Sequence, residues 1–204
     1  MPGDRLFSKA TAALDGGCRL IQYRSKHDSV AQKIKNAARL KKICESYHAT
    51  LIINDDIEIA ETVSAHGVHL GQNDTSLSVA RNSLGEHAII GATCHDSIQL
   101  AVSAFQNGAN YLAFGRFFPS QTKPTAKAAT TDILKTAKKL IPLPIVAIGG
   151  IHIDNAKLLI DAGADCLAIC NNIFDFDDIK DTEKQVRRYL SLFEFSPSKN
   201  QDQP

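Results

Sequence analysis

The chain has 204 residues, 44% of them hydrophobic, and its 23 Lys and Arg against 22 Asp and Glu give a net charge of +1. That length and apolar content fit one large α/β domain with a sizeable core. The charge balance carries no footprint for nucleic acid or an anionic membrane surface, no apolar stretch is long enough to span a bilayer, and the polar start Met1-Pro2-Gly3-Asp4-Arg5 is no signal peptide.

A soluble, cytoplasmic protein is therefore expected. Cys18, Cys44, Cys94, Cys166 and Cys170 have no disulfide framework of spacings. Cys166 and Cys170 flank an apolar run and read as small hydrophobes. His69 sits inside another run and reads as a satisfied core residue.

In chain order, helical periodicity or gap filling predicts helices over 5–14, 29–47, 57–65, 77–84, 97–107, 131–140, 154–161 and 178–192. The second carries an apolar stripe of Val30, Ile34, Ala37, Ala38 and Cys44 with Lys41 and Lys42 beside it. Between the helices lie short continuous apolar runs, which is how parallel strands buried on both faces read. The joints Gly16-Gly17, Gly67, Gly108 and Gly163 place glycine just past a helix end, where a left-handed residue terminates the helix. Repeated βα units of this kind make a parallel sheet. Seven strands accompany eight helices and the chain opens on a helix, so the expected fold is a (βα)8 TIM-type barrel with its first strand absent from this chain. The true start lies upstream, the chain is truncated, or the barrel closes in another way. One domain over 1–194 and a frayed tail over 195–204 are expected.

Each apolar run stops on a polar or glycine-rich cluster, and ligands sit at the carboxyl ends of such strands. The first run ends in Gln22-Tyr23-Arg24-Ser25-Lys26. Alternation lets Arg24 and Lys26 point the same way as a fork and a point charge for phosphate, with Gln22 able to hydrogen-bond a polar ring. Asp55 and Asp74 each follow a strand. They could hold Mg²⁺ with phosphate and water completing the shell, or they could cap the helices that come next, with Asp56 as the other candidate cap. Ile89-Ile90 leads to Gly91-Ala92-Thr93. A long segment from Gly115 to Pro124 contains Arg116, Ser120, Gln121, Thr122 and Lys123, and such segments serve as lids. Gly149-Gly150 and Asn171-Asn172 follow the last two strands, where barrels often hold a phosphate.

Taken together the clusters resemble the thiamine phosphate synthase (thiamine-phosphate pyrophosphorylase) family. Its Gln-x-Arg-x-Lys pattern is Gln22, Arg24 and Lys26, and its Asn-Asp pair is Asn54-Asp55. The Gly-Val-His-Leu-Gly-Gln-x-Asp stretch is unbroken over 67–74. Gly91-Ala92-Thr93-Cys94-His95, Thr122-Lys123 and Ile148-Gly149-Gly150-Ile151 complete a set spanning about residues 5–175. The resemblance implies coupling of hydroxymethylpyrimidine diphosphate to thiazole phosphate, giving thiamine phosphate and pyrophosphate by Mg²⁺-dependent dissociative substitution. It implies that Asp55 and Asp74 hold Mg²⁺, and that Arg24, Lys26, Asn54, Thr93 and Lys123 bind the diphosphate. Gln22 would orient the pyrimidine, while Ser120, Thr122, Gly150 and the backbone at Cys170-Asn171 would hold the thiazole phosphate.

Arg116, Ser120 and Asn171 depart from the family's usual proline, threonine and serine. A thiazole tautomerase-like enzyme of the same superfamily is the alternative, as is a non-catalytic phosphate-binding barrel. Paired Asp55 and Asp74 with intact Thr122-Lys123 favour the synthase, because a tautomerase has no diphosphate to expel. Self-association is compatible with the family.

Overall fold

The computed structural model describes residues 3–119 and 128–194. Helix α1 (Gly3–Asp15) precedes β1 (Leu20–Tyr23), α2 (Val30–Ser46), β2 (Thr50–Asn54), α3 (Ile57–Thr62), β3 (Gly67–Leu70) and α4 (Leu77–Leu84). Then come β4 (Ile89–His95), α5 (Ile98–Gln106), β5 (Tyr111–Phe114), α6 (Thr131–Leu140), β6 (Ile145–Ile148), α7 (Ile153–Asp161) and β7 (Cys166–Ala168). Short α8 (Asn171–Phe174) and long α9 (Ile179–Glu194) close the order. The seven strands form one sheet in sequence order, every neighbouring pair parallel. The sheet curls: Cys18, just before β1, lies close enough to Cys166 on β7 for its charge to raise the cost of ionising the Cys166 thiol.

The helices start where short polar side chains accept orphan amides. Ser29, Asp56, Ser76 and Ser97 each accept the backbone N–H three residues on. Gly17, Gly108 and Gly163 hold the left-handed conformation after helices. Gly67 does not: Ser64 takes the positive φ at that joint, and Gly67 lies within β3. A Cβ there would stand 1.8 Å from the Ile89 carbonyl oxygen, so strand contact explains the residue.

Three other expectations change. Val30 is exposed; of the expected stripe α2 buries Ala37 and Cys44, and it adds Asn36 and Leu40. The β4 strand continues to His95, so Gly91, Ala92 and Thr93 lie inside it. Helix α8, one turn long, had no periodicity to announce it.

Two apolar clusters fill the space between sheet and helices. One holds Ile21, Leu51, Ile53, Val68 and Ile90, the other Leu112, Phe114, Ile145 and Ala147. The opposite, concave face is set by register: Gln22 aligns with Ile52, Ile52 with Gly67, and Gly67 with Ile89. Further up, Asn54 aligns with His69, His69 with Gly91, and Gly91 with Tyr111. Cross-strand partners share a face, so these residues line the mouth of the curl. The thiols of Cys44 and Cys166 are pushed up to about 11, and that of Cys94 to about 12, chiefly by burial. Of the two cysteines read as small hydrophobes, Cys166 is half-buried and Cys170 is exposed, because it stands past the end of β7 where α8 begins; Cys44 and Cys94 are the fully buried ones.

Lys9 is 2% exposed, and its ammonium donates to the backbone carbonyls of Phe174 and Phe176. Arg5 adds a 2.9 Å bond to the Phe176 carbonyl, and Thr182 a 3.0 Å bond to that of Ile173. Lys9→Met keeps the apolar stem but takes the ammonium from the Phe174 carbonyl and leaves that of Phe176 to Arg5. Urea unfolding is expected to show a loss of ~1–3 kcal/mol. A second test is electrostatic. His66 Nδ1 accepts the Leu51 N–H at 2.8 Å, and burial, aided by Lys41, lowers the ring's pKa. The folded state then resists protonation, so the contribution is complete above the ordinary value of about 6.5 and is lost as pH falls below it. The stability gap between wild type and His66→Ala should narrow from pH 8 to pH 5.

Candidate active site

The carboxyl ends of β1, β2 and β3 gather charge. Beyond β1, Arg24 and Lys26 line a cleft of about 660 Å³ with Asn54, Asp55 and Thr75. Lys33 and His27 also line it, and neither belonged to a recognised pattern. Their signal was position alone, in the loop and first turn that follow the Arg24–Lys26 pair. Burial pushes the Asp55 carboxyl and the Cys170 thiol up, while the charge of Arg24 pulls both down. Arg24 therefore sits near groups that follow β2 and β7, at the centre of the curl.

The question of caps or metal for the acids resolves into separate residues. Asp56 caps α3 through Oδ1, which accepts Ile59 N–H at 3.1 Å, and Ser76 caps α4. Asp55 and Asp74 serve neither helix. Asp55 has φ 65°, held by its N–H donating to the His69 carbonyl at 2.8 Å. Asp74 Oδ2 accepts Gly71 N–H at 2.7 Å. The two carboxyl groups lie within hydrogen-bonding reach, and after burial the Asp74 carboxylate is the main cause of the raised Asp55 pKa. Two like charges facing one another suit a divalent cation. Among the described residues no group of three or more His, Cys, Asp or Glu is placed to hold a metal. Mg²⁺ needs only one or two carboxylates when phosphate and water supply the rest, so the pair fits that ion.

Thr93 and Gln22 reach the same mouth from β4 and β1. His69, buried as expected, stacks on Tyr111 at 5.5 Å between ring centroids and hydrogen-bonds both Tyr111 and Thr93. Tyr111 can lie this way because Gly91 is between them: a Cβ on Gly91 would stand 2.0 Å from Tyr111 Cζ. Gln72 donates from its amide to the Thr93 carbonyl.

On the other side, the turn at Gly149-Gly150 pairs with the segment after β5. Phe117 N–H donates to the Ile148 carbonyl at 3.3 Å and Phe118 N–H to that of Gly149 at 3.1 Å. Gly150 has φ 66°, and a Cβ there would meet the Pro119 carbonyl oxygen at 2.5 Å. Asn172 Nδ2 donates to the Ile151 carbonyl at 3.1 Å, which draws Cys170 and Asn171 beside that turn. Arg116 donates to the Phe118 carbonyl at 3.4 Å. Ser120, Thr122 and Lys123 lie outside the described residues.

A curled parallel sheet with helices on its convex face, and cations and paired acids at its carboxyl end, defines a TIM-like α/β enzyme scaffold suited to small phosphorylated ligands. The model of the family described as thiamine monophosphate synthase matches residues 1–173. A thiamine-phosphate synthase from Marinobacter nauticus is 49% identical over 201 residues, covering 96% of this chain and 90% of the relative. The structure of a thiamine phosphate pyrophosphorylase from Pyrococcus furiosus superposes with a TM-score of 0.82 at 29% identity, over 91% of this chain and 88% of the other. A second, from Bacteroides thetaiotaomicron, shares the fold with a TM-score of 0.70 at 15% identity, over 97% and 94%. The chain belongs to the thiamine monophosphate synthase family.

Gly91→Ala tests the packing at the mouth. The added methyl must displace the Tyr111 ring, and overpacking of this kind costs about 1–3 kcal/mol. A thermal melt should show the loss, and the double variant with Tyr111→Ala should recover part of it.

Proposed function

We propose that this chain couples 4-amino-2-methyl-5-hydroxymethylpyrimidine diphosphate to thiazole phosphate, releasing pyrophosphate and giving thiamine phosphate. The observation that carries the reading is the Asp55–Asp74 pair beside Arg24, together with family membership. A like-charged pair next to a guanidinium is costly by itself and suits a polyanion bound through a divalent cation.

Asp55 and Asp74 would hold Mg²⁺, which supplies positive charge to the diphosphate oxygens when bound. Arg24 and Lys26 bind those oxygens from the loop after β1, Asn54 and Thr93 from β2 and β4, and Lys123 from the segment after β5. As the carbon–oxygen bond breaks, negative charge grows on the departing pyrophosphate. Arg24, Lys26 and Lys123 are the cations that would meet this charge as it develops, and so favour the transition state over the bound substrate. Gln22 orients the pyrimidine. Ser120, Thr122, Gly150, Cys170 and Asn171 hold the thiazole phosphate so that the ring nitrogen faces the pyrimidinylmethyl cation and captures it. No protein nucleophile takes part.

The finer architecture belongs to the same proposal. An eighth strand between β7 and β1 would close the barrel, residues 1–194 act as one domain with 195–204 as a tail, and the enzyme works in the cytoplasm.

The test is a coupling assay on purified protein with both substrates and Mg²⁺, the product being oxidised to fluorescent thiochrome. Product that vanishes with EDTA is expected. Asp74→Ala and Lys123→Ala should each lower turnover by about 100-fold or more with the circular dichroism spectrum unchanged. Near-normal turnover in either would remove that residue from its assigned role.

A further inference from the structure

Four side chains on the concave face form a continuous hydrogen-bonded chain. The Tyr111 hydroxyl lies 2.9 Å from His69 Nδ1, and His69 Nε2 lies 2.8 Å from Thr93 Oγ1. The Gln22 side chain is a further hydrogen-bond partner of the Tyr111 hydroxyl. The two ends lie toward solvent at the mouth, Gln22 exposed and Thr93 half-buried, while the two rings between them are each 8% exposed.

Such a chain runs in one of two directions. With the imidazole proton on Nδ1, Thr93 must give its hydroxyl proton to Nε2 and can present only lone pairs to the cleft. With the proton on Nε2, the ring donates to Thr93 Oγ1 and the Thr93 proton is released toward the cleft. Tyr111 then donates to Nδ1 and accepts from the Gln22 amide nitrogen, which leaves the Gln22 carbonyl oxygen facing outward. Burial raises the Tyr111 pKa above its ordinary value, so the phenol stays protonated and closes the chain in either direction. An anion at Thr93 has no proton to offer and selects the second direction.

Resting on the reading that Thr93 meets a diphosphate oxygen, we propose that His69 and Tyr111 are positioning residues. They hold the Nε2–H tautomer, aim the Thr93 proton at the anion, and turn the Gln22 carbonyl oxygen toward an amino group of the bound ring. Phosphate recognition and amino-group recognition are thus one directional device. A ring with an oxo group in that place meets the wrong end of the Gln22 amide. Gly91 belongs to the device because only glycine lets Tyr111 lie across β4 to reach His69. A purely structural role would be met by either direction, since each gives every buried nitrogen a partner.

Nitrogen-15 spectra of histidine-labelled enzyme identify the tautomer, with the His69 signals assigned by their loss in His69→Gln. The expected form is Nε2–H, both without ligand and with magnesium pyrophosphate. Tyr111→Phe keeps the ring over Gly91 but loses the donor to Nδ1. It should lower kcat about tenfold while leaving the KM for thiazole phosphate within about twofold. The amide of His69→Gln still reaches Thr93 and should keep more than about a third of the wild-type kcat. His69→Asn is too short and should match Tyr111→Phe. A ring protonated on Nδ1, a Tyr111→Phe enzyme at full kcat, or a Gln variant no better than Asn would overturn the proposal. A folded wild type that makes no thiamine phosphate would overturn the functional reading instead, and the tautomer would still decide the relay.

Discussion

A parallel strand presents its side chains alternately to two faces, and in this sheet the helices cover one of them. The covered face has to be apolar, and it is: Leu51, Ile53, Val68, Ile90, Leu112, Phe114, Ile145 and Ala147 all pack beneath helices. Residues between them in sequence project to the concave side and escape that demand. Gln22, Asn54, His69, Thr93 and Tyr111 occupy those alternate positions, so one register serves both the core and the site. A one-residue slip of β3 would bury Leu70 in the mouth and press His69 against a helix. Stability of the outer layer therefore protects the geometry of the inner one.

Electrostatics at the mouth follows from the same arrangement. Parallel order brings consecutive strand ends side by side, and β2 and β3 carry Asp55 and Asp74 on their connecting loops. Their mutual repulsion, added to burial, raises the Asp55 pKa, and Arg24 only partly offsets it. Helix capping has been delegated to Asp56 and Ser76, which frees the other two acids from local duty.

Much of this was legible because strand pattern and loop chemistry agree. Continuous apolar runs and post-helical glycines such as Gly17, Gly108 and Gly163 gave the βα alternation, and the structure has those elements in that order. The spacing of Asp55, Asp56 and Asp74 left caps and metal ligands unresolved, because a carboxylate suits either until its neighbours in space are known. Gly91 reads in sequence as the first residue of the cluster that ends the Ile89-Ile90 run. Its reason is a clash with Tyr111 on the next strand, twenty residues on, and no local pattern encodes that contact. The pairing of His69 with Thr93 and Tyr111 was equally hidden, since a buried histidine reads the same whatever it bonds. Short α8 was missed because one turn is too brief for a 3.6-residue period.

The far side of the mouth is held by a series of contacts that begins on the outside of the molecule. Lys9 and Arg5 on α1 bind the carbonyls of Phe174 and Phe176, which end and follow α8. The start of α8 carries Asn172, which binds the Ile151 carbonyl, and the turn before Ile151 is paired with the backbone of Phe117 and Phe118. Helix α1 is thus connected through α8 to the turn at Gly149-Gly150 and from there to the segment after β5. Each link is a bond to backbone, so it fixes where the chain runs rather than which side chain it shows. A buried ammonium is costly unless its protons are matched, and two carbonyls at one end of α8 match it. The charge on Lys9 then has a reason that an apolar residue could not supply: it sets the position of a loop from the opposite end of the sequence.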